Sequence, residues 1–411
     1  MAVARPLAGV ARYLARRRVS TALTMTCRRW MCRRPAWLVA WSVVILLLAA
    51  CARTPPPAPQ AAPALPARRV ESPGYGFEAY LWWKPEIATR DLGLIRAAGF
   101  KWVKQTFAWR DIEIEKGKYD WSRADNVVFL TTEVFTRNLI IRLDREPYWD
   151  RYDYPLDQGI AAGPPRNLKN FFDFCGVIAA RYKGKVAAYQ VWNEPNLARE
   201  WGGRPPDPAA YVEMLKGCYR AIKAADPEAL VISAGLAPTG NGPPLAMPHA
   251  EFLIAMYRAG AAPYFDLLGV HAPGFRAAPE VPPGMAASIP ELGGHRFFAF
   301  RHVEDMRVIM ERFGDGAKQV AVLEFGWTTD PVNTDYAWFA IDERLKADYM
   351  VRALRWARQN WRPWIGPMIA LSIPQFDWTP ENEQYWWAVV DPVYPETRTR
   401  PAYDALKAME K

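Results

Sequence analysis

The chain has 411 residues, of which 51% are hydrophobic and 23% charged, so it can bury a large core without help from metals or disulfides. The formal net charge is +9, but residues 1–69 carry 12 Arg and no Lys, Asp or Glu. Subtracting those 12 charges from +9 leaves −3 for the rest of the chain. A basic surface on the folded part is therefore excluded, and no nucleic-acid partner is predicted.

The N-terminal segment has the pattern of a bacterial lipoprotein leader. Arg33 and Arg34 precede an apolar run over residues 37–50, which suits a signal peptide and is short for a membrane-spanning helix. The run ends at Cys51. Residues 48–51, Leu-Ala-Ala-Cys, resemble a lipobox, in which the cysteine becomes the lipidated first residue after cleavage.

We therefore predict a leader and signal peptide over residues 1–50. Met31 offers a compact start, so residues 1–30 could be an extension; an uncleaved N-terminal anchor is the alternative interpretation. Both interpretations place the remaining chain outside the cytoplasm, and in the first it is anchored to the bacterial cell membrane by lipidated Cys51. Residues 51–71 are rich in Pro and Ala, which favour extended geometry, so they are predicted to be a tether.

Residues 72–411 are predicted to form one α/β domain, a (β/α)8 barrel. Eight apolar, β-rich runs alternate with segments of helical period, and no antiparallel hairpin signal interrupts the series. An open doubly wound sheet also alternates in this way, but the count of eight and the lack of a glycine-rich turn after the first run favour a closed barrel. The predicted strands are 76–81, 102–107, 139–143, 187–192, 230–234, 267–271, 320–325 and 368–373; the predicted helices are 89–98, 124–136, 168–182, 209–224, 250–259, 300–313, 343–360 and 402–409.

Two cysteines fall in the predicted barrel. Cys175 and Cys218 both lie in helical segments, where a disulfide and two buried thiols are equally consistent with the sequence. No spacing of Cys and His indicates a metal site, and no cofactor is predicted.

Two glutamates stand where catalytic groups of a (β/α)8 barrel are found, at the carboxyl ends of strands. Glu194 follows the fourth predicted strand and Glu324 ends the seventh, so the two would face each other across the barrel mouth. Retaining glycoside hydrolysis uses such a pair about 5–5.5 Å apart, one carboxyl protonated and the other ionised. Nearby carboxylates resist joint ionisation, which helps to separate their pKa values.

Three motifs resemble those of glycoside hydrolase clan A, in particular families 5 and 39. They are Trp-Asn-Glu-Pro-Asn at 192–196, Leu-Glu-Phe-Gly-Trp at 323–327, and the segment 109–121 after the second predicted strand. They occur in the order of the clan and extend the resemblance over about residues 76–390. The resemblance implies a retaining O-glycosidase that acts without a cofactor on an oligo- or polysaccharide with β-linkages.

The resemblance also implies roles for single residues. Glu194 would be the general acid/base, Glu324 the nucleophile, and Asn193 a hydrogen-bonding partner of the sugar 2-hydroxyl. In relatives a tryptophan near the eighth strand forms the floor of the sugar subsite, and Trp378 stands there in this sequence.

The sequence departs from the clan pattern at two positions. His271 matches at the end of the sixth strand, but Pro273 stands where the clan often has a tyrosine that donates to the nucleophile. Lys104 on the second strand stands where many relatives have an arginine, giving a point charge instead of a fork. Tyr264 or Tyr148 could replace the missing donor.

Aromatic side chains are expected to bind the apolar faces of sugar rings. Besides Trp378, the best candidates are Trp149, Trp201 and Trp327, which fall in loops on the predicted catalytic side. The stretch 273–295 is too long for a simple connector and is predicted to shape one wall of the cleft.

The leading prediction is a monomeric, membrane-anchored glycosidase whose partner is a carbohydrate. A non-catalytic carbohydrate-binding lipoprotein that kept the barrel is the alternative, and Pro273 and Lys104 favour it. A solute-binding lipoprotein is disfavoured, because the chain lacks a two-lobed organisation.

Overall fold

A closed sheet of eight parallel strands forms the centre of the computed structural model, which describes residues 69–154 and 159–411. Each strand pairs with its neighbours in chain order, and β8 closes the ring on β1. The strands are β1 (Gly74–Glu78), β2 (Trp102–Ala108), β3 (Asn138–Asp144), β4 (Ala188–Val191), β5 (Leu230–Ser233), β6 (Leu267–Pro273), β7 (Gln319–Gly326) and β8 (Ile365–Ala370). The predicted (β/α)8 barrel is confirmed, whereas the predicted leader, Cys51 and most of the tether lie outside the described residues.

One long helix follows each strand. These helices are α1 (Pro85–Ala97), α2 (Ser122–Val128, continued as a π-helix over Phe129–Val134), α3 (Leu168–Arg181), α4 (Pro208–Ala225), α5 (His249–Arg258), α6 (His302–Arg312), α7 (Glu343–Asn360) and α8 (Pro401–Ala408). Several begin at side-chain caps: Asp207 accepts from the backbone N–H groups of Ala209 and Ala210, and Asp342 accepts from that of Leu345. Within the described ranges, no helix is long and apolar enough to cross a bilayer.

An antiparallel hairpin in the loop after β2 corrects the expectation that no hairpin interrupts the series. Glu113–Glu115 pairs with Lys118–Tyr119, and Gly117 adopts a φ of 80° at the turn, a conformation that glycine allows without a steric penalty. The hairpin is short and lies outside the barrel, so the strand order is unaffected.

The first strand begins two residues before its predicted start, because two glycines let it approach β2 closely. A Cβ at Gly76 would lie 2.6 Å from the Cβ of Trp102, and a Cβ at Gly74 would lie 2.5 Å from the indole nitrogen of Trp102. Glycine is required where backbones come this close.

The apolar core has two parts. A large outer part packs the strands against the helices. A smaller cluster of nine buried side chains from the strands fills the lower barrel interior: Trp102, Ile140, Ala188, Leu230, Ile232, Leu267, Ala321, Leu323 and Ile369. Lys104 and Arg142 come two residues after Trp102 and Ile140, on the same side of their strands. Polar side chains therefore lie directly above the apolar plug, at the barrel mouth.

Cys175 in α3 and Cys218 in α4 form a disulfide, with 5.5 Å between their Cα atoms. Of the two alternatives left open by the sequence, the structure has the bonded one. The bond joins two neighbouring helices of the outer layer across a sequence separation of 43 residues.

Replacing both cysteines by alanine, Cys175→Ala with Cys218→Ala, should lower the free energy of unfolding by about 2–4 kcal/mol, because the unfolded chain regains the freedom of the closed loop. Urea denaturation measures this loss. Peptide mapping without reduction should recover the Cys175–Cys218 cross-link, and recovery of both residues as free thiols would contradict the assignment.

Candidate active site

A cleft of about 280 Å³ opens at the carboxyl ends of the strands, where (β/α)8 enzymes carry their reactive groups. It is both strongly charged and partly aromatic, a composition suited to a polar ligand with apolar faces. Its lining residues are Glu78, Tyr80, Arg142, Arg145, Asn193, Glu194, Arg199, Glu200, Pro238, His271, Pro273, Glu324, Leu371, Ser372, Trp378, Glu383, Gln384 and Trp387.

A strained turn after β4 places Glu194 in the cleft. Trp192 and Glu194 have positive φ angles of 70° and 41°, which non-glycine residues adopt rarely and at a cost of about 1–3 kcal/mol each. Hydrogen bonds hold the turn: the backbone N–H of Trp192 donates to the carbonyl of Leu143, and that of Glu194 to the carbonyl of Gly235. The turn is thus tied to the strands on both sides of β4.

A β-bulge in β7 directs Glu324 into the cleft. Val270 pairs with Val322 and His271 with Glu324, so β7 has one extra residue, Leu323, at this point. Leu323 belongs to the barrel interior, and a regular strand would turn the next side chain outward. The bulge is the reason that Glu324 faces the cleft as well.

The two glutamates lie close together and His271 bridges them. Ligand-type atoms of Glu194, His271 and Glu324 all lie within 4.8 Å of one another. Nδ1 of His271 is 2.9 Å from Oε1 of Glu194, with which it forms a hydrogen bond, and 3.5 Å from Oε2 of Glu324. When Glu194 is ionised, this nitrogen is the donor. The imidazole packs against the backbone of Gly235, where a Cβ would lie 2.1 Å from the ring.

Two further cations hold Glu324 from below. Oε1 of Glu324 is 2.7 Å from Nζ of Lys104, which is fully buried, and 3.7 Å from Nη1 of Arg142. Lys104 and Arg142 also contact the buried carboxylate of Glu78, at 3.3 and 3.8 Å. Nε of Arg142 also forms an ion pair with Asp144 at 2.8 Å.

This cluster sets the ionisation of Glu324. Burial alone would raise the pKa of Glu324, but the interactions with His271, Lys104 and Arg142 outweigh it and lower that pKa to about 2. The pKa of Glu78 is raised instead, by burial and by the charge of Glu324. Of the two carboxyl groups Glu78 and Glu324, Glu324 is therefore the one that is ionised at neutral pH.

Glu194 has a different set of neighbours. Its Oε2 is 3.2 Å from Nη2 of Arg199, a half-exposed residue of the short 3-10 helix Ala198–Glu200. Burial and the charge of Glu324 raise the pKa of Glu194, but the hydrogen bond from His271 and the charges of His271 and Arg199 leave it below its ordinary value.

Glu194, His271 and Glu324 have the spacing of a possible cation site within the described part of the chain. Lys104 and Arg142 already neutralise Glu324 from the barrel side, and Arg199 contacts Glu194 from the loop side. A metal ion would be repelled by three positive side chains. The arrangement suits proton transfer and nucleophilic attack better than metal binding.

Several predicted site residues come together in this cleft. Asn193, Glu194, His271, Glu324 and Trp378 line it. Lys104 lies beneath it in contact with Glu324. The ring of Trp378 meets that of Tyr80 edge-on, with 4.7 Å between their centroids.

The other predicted tryptophans do not line the cleft, which corrects their assignment as sugar contacts. Trp327 is fully buried beside Phe300 and donates to the carbonyl of Ala277. Trp201 is 3% exposed and packs against Trp192. Trp149 is half-buried, packs against Trp109 and donates to the carbonyl of Glu113. These rings serve packing, because the loops that carry them fold inward.

The proposed substitutes for the missing tyrosine are also elsewhere. Tyr264 lies in the short helix before β6 next to Arg220, and Tyr148 is 69% exposed outside the cleft. Of the stretch 273–295, Pro273 alone lines the cleft. Lys104 and Arg142, rather than a tyrosine, are the side chains that contact Glu324 from the barrel.

Other lining residues escaped the sequence analysis. Glu78 ends β1 and Arg142 lies two residues before the end of β3, so a search of the last three residues of every strand for charged side chains would have found them. Arg199 and Glu383 lie in short helices of three and five residues, where no sequence period indicates the direction of a side chain. Trp387 lines the cleft and donates to Glu383.

No protein-family model and no curated protein sequence matches the chain. Solved structures share its fold. A family 39 glycoside hydrolase from Bacteroides cellulosilyticus WH2 is 20% identical with a TM-score of 0.58, and the match covers 84% of this chain and 64% of that one. A glucosidase from Croceicoccus marinus is 14% identical with a TM-score of 0.57 over 84% of this chain and 68% of that one.

A triple mutant of an endo-β-1,4-glucanase from Xanthomonas axonopodis pv. citri is 14% identical with a TM-score of 0.53, covering 82% of this chain and 98% of that one. The chain thus spans less than two thirds of the family 39 protein and nearly all of the glucanase. At these identities the likeness establishes the fold, a (β/α)8 barrel of the kind found in glycoside hydrolases.

Lys104→Met should lower the free energy of unfolding at pH 7 by on the order of 3 kcal/mol, because Glu324 loses its nearest buried partner. The folded-state pKa of Glu324 is lowered, so its ionic contacts stabilise the fold above about pH 4.3 and are lost as the pH falls towards 2. The destabilisation should therefore shrink between these pH values in urea titrations.

Lys101→Met is the matched control, since that lysine is 60% exposed and pairs with exposed Glu71. It should change the free energy of unfolding by less than about 1 kcal/mol at any pH. Equal effects of the two substitutions would refute the importance of the buried contact.

Proposed function

We propose that the protein is a retaining O-glycoside hydrolase that cleaves a carbohydrate with β-linkages by double displacement. The observation that carries the proposal is the placement of Glu194 and Glu324 oxygens within 4.8 Å of one another at the barrel mouth. This closeness suits retention, since inverting enzymes separate their carboxyls by about 6.5–9.5 Å to admit a water. The glycoside hydrolases that share the fold support it.

In the first step, Oε of Glu324 attacks the anomeric carbon while the bond to the leaving oxygen breaks. Glu194 donates its proton to that oxygen, so the leaving group departs as a neutral alcohol and a glycosyl ester of Glu324 remains. Lys104 and Arg142 keep the attacking carboxylate ionised and oriented. Asn193 is placed in the cleft to contact the sugar.

In the second step, Glu194 accepts a proton from water, and the water oxygen attacks the anomeric carbon. The ester bond breaks, Glu324 recovers its charge, and the sugar leaves with its original anomeric configuration. His271 forms a hydrogen bond with Glu194 and lies 3.5 Å from Glu324, so its ring helps to hold the two carboxyl groups in position.

We further propose that the enzyme acts outside the cytoplasm, attached to the membrane through lipidated Cys51. The Arg-rich leader, the Leu-Ala-Ala-Cys sequence and the Pro/Ala-rich tether support this location. The disulfide between Cys175 and Cys218 is consistent with it, because disulfides persist in oxidising compartments.

A non-catalytic carbohydrate-binding barrel is the second candidate. The lowered pKa of Glu194 favours it, since an acid that is ionised at neutral pH has no proton to give. The two candidates differ in what the carboxylates do, so they are separated by turnover and by its pH dependence.

Glu194→Gln and Glu324→Gln should each lower kcat/KM on an activated aryl β-glycoside or polysaccharide by at least about 10²-fold, because each removes a group that acts in the transition state. Exposed Glu410→Gln is the control and should leave kcat/KM unchanged. If the unaltered protein binds carbohydrate without turnover, also at the acidic pH values at which activity is expected, it is instead the non-catalytic carbohydrate-binding barrel.

The activity should be greatest in acid. Glu324 must be ionised, which holds above its pKa of about 2, and Glu194 must be protonated, which holds below a pKa that lies under 4.5. We therefore expect kcat/KM to fall about tenfold per pH unit above about pH 4.5.

His271→Asn should move this fall in kcat/KM to higher pH, because a contact that lowers the pKa of Glu194 is lost. An unchanged pH profile would contradict the role of His271.

Gly235→Ala should lower kcat by about 10²-fold, because the new Cβ would displace the His271 ring that positions both glutamates. Gly93→Ala is the control, since a Cβ at that helical position meets no atom within 4 Å. Full activity of Gly235→Ala would show that the bridge by His271 is dispensable.

A further inference from the structure

Arg145 is a cation of the cleft whose side chain has no partner among the described residues. Lys104, Arg142 and Arg199 each make an ion pair with a carboxylate of the site. The side chain of Arg145, which also lines the cleft, makes no hydrogen bond and no ion pair with any residue in the described ranges. Its charge acts on Asp111 in the loop after β2 and on Tyr80, but it forms no hydrogen bond or ion pair with either.

The backbone at Arg145 is held in a conformation that its side chain disfavours. Its φ is 61°, in the left-handed region, where a long side chain costs about 1–3 kcal/mol and glycine costs little. The carbonyl of Arg145 accepts from the backbone N–H of Arg110 at 3.0 Å, which fixes this turn at the end of β3. A glycine would adopt this turn at a lower cost, and the strained turn instead carries an arginine side chain that lines the cleft.

The charge balance of the cleft leaves room for an anion. Burial raises the pKa of Glu200 to about 7 and also raises those of Glu383 and Glu78. Glu194 and Glu324 are the lining carboxylates whose pKa values are lowered. Arg142, Arg145 and Arg199 line the space that a substrate would fill and Lys104 lies beneath it, so four cations accompany the two carboxylates whose pKa values are lowered.

A neutral sugar would not supply a countercharge for Arg145. It would shield the Arg145 guanidinium from water without supplying a countercharge, and a buried unpaired charge is unfavourable. A carboxylate or sulfate ester supplies two oxygens that match the planar fork of arginine. The unpaired guanidinium thus fits an acidic substituent better than a hydroxyl.

We propose that Arg145 is a specificity-determining residue that binds an anionic substituent of the substrate, so the enzyme prefers an acidic glycoside over its neutral counterpart. This inference rests on the proposed carbohydrate-binding function. It adds a substrate class, sugars bearing a carboxylate or a sulfate ester, to the β-glycosidase chemistry.

The test is equilibrium binding of the full chain to matched β-glycosides, measured by titration calorimetry at about pH 5. Glucosides, glucuronides and glucose 6-sulfates form one matched set, and the galactose equivalents form another. The acidic member of at least one set should bind at least about tenfold more tightly than its neutral counterpart, and added salt should reduce the difference. The carboxylate and sulfate arms show which anion is preferred.

Arg145→Gly should abolish this preference by weakening the binding of the acidic members far more than that of the neutral ones, and it should not destabilise the fold, because glycine suits the φ of 61°. Arg145→Lys should retain part of the preference, and Arg312→Gln, which changes an exposed arginine at the end of α6, should retain all of it. A neutral member that binds as tightly as the acidic one in every set would overturn the proposal, as would a preference that survives in Arg145→Gly or no binding of any acidic member.

Binding needs no turnover, so this test fails separately from the hydrolase proposal. Acidic preference without hydrolysis would refute the glycosidase mechanism and leave the role of Arg145 standing. Hydrolysis of neutral glycosides together with equal affinity for both classes would refute the role of Arg145 and leave the mechanism standing.

Discussion

The carboxylate of Glu324 is held in a buried charge cluster, and the rest of the cleft is arranged around that constraint. Its oxygen lies 2.7 Å from Lys104, which has no contact with solvent, and Arg142 and Glu78 complete the group. A buried ion is unfavourable unless it is fully paired. The strands that carry Glu324, Lys104, Arg142 and Glu78 must therefore place these side chains at the same level of the barrel. The apolar plug beneath the cluster makes this possible, because it excludes water and fixes the strands on which the charges stand.

Irregular backbone delivers the reactive groups that regular strands could not. The bulge in β7 brings Glu324 inward directly after Leu323, and positive φ angles at Trp192 and Glu194 bring the second glutamate to face it. Arg145 reaches the same cleft from a third strained position. Strain of this kind is stored where function requires it and is supported by the surrounding hydrogen bonds. The regular parts of the barrel act as a rigid frame for a few strained residues.

Sequence patterns predicted the eight strands and the pairing of two strand-end glutamates, because apolar period and polar strand ends are local signals. They did not predict the bulge, since one extra residue in β7 leaves the apolar run unchanged. They also assigned Trp327 and Trp201 to the sugar, although both are buried. Whether a loop tryptophan points inward depends on contacts such as that between Trp327 and the carbonyl of Ala277, which are distant in sequence. Arg142, the second cation beside Glu324, lies in a strand and could have been found from the sequence.

In the proposed mechanism, Glu324 forms a covalent bond to the sugar. Incubation with a panel of activated 2-deoxy-2-fluoro β-glycosides, neutral and acidic, traps such a bond by slowing its hydrolysis, and peptide mass spectrometry then locates the label. We expect one sugar per chain, attached to the peptide that contains Glu324, and no labelling in Glu324→Gln. Labelling of Glu194 or another residue, or labelling that persists in Glu324→Gln, would contradict the role of Glu324 as nucleophile.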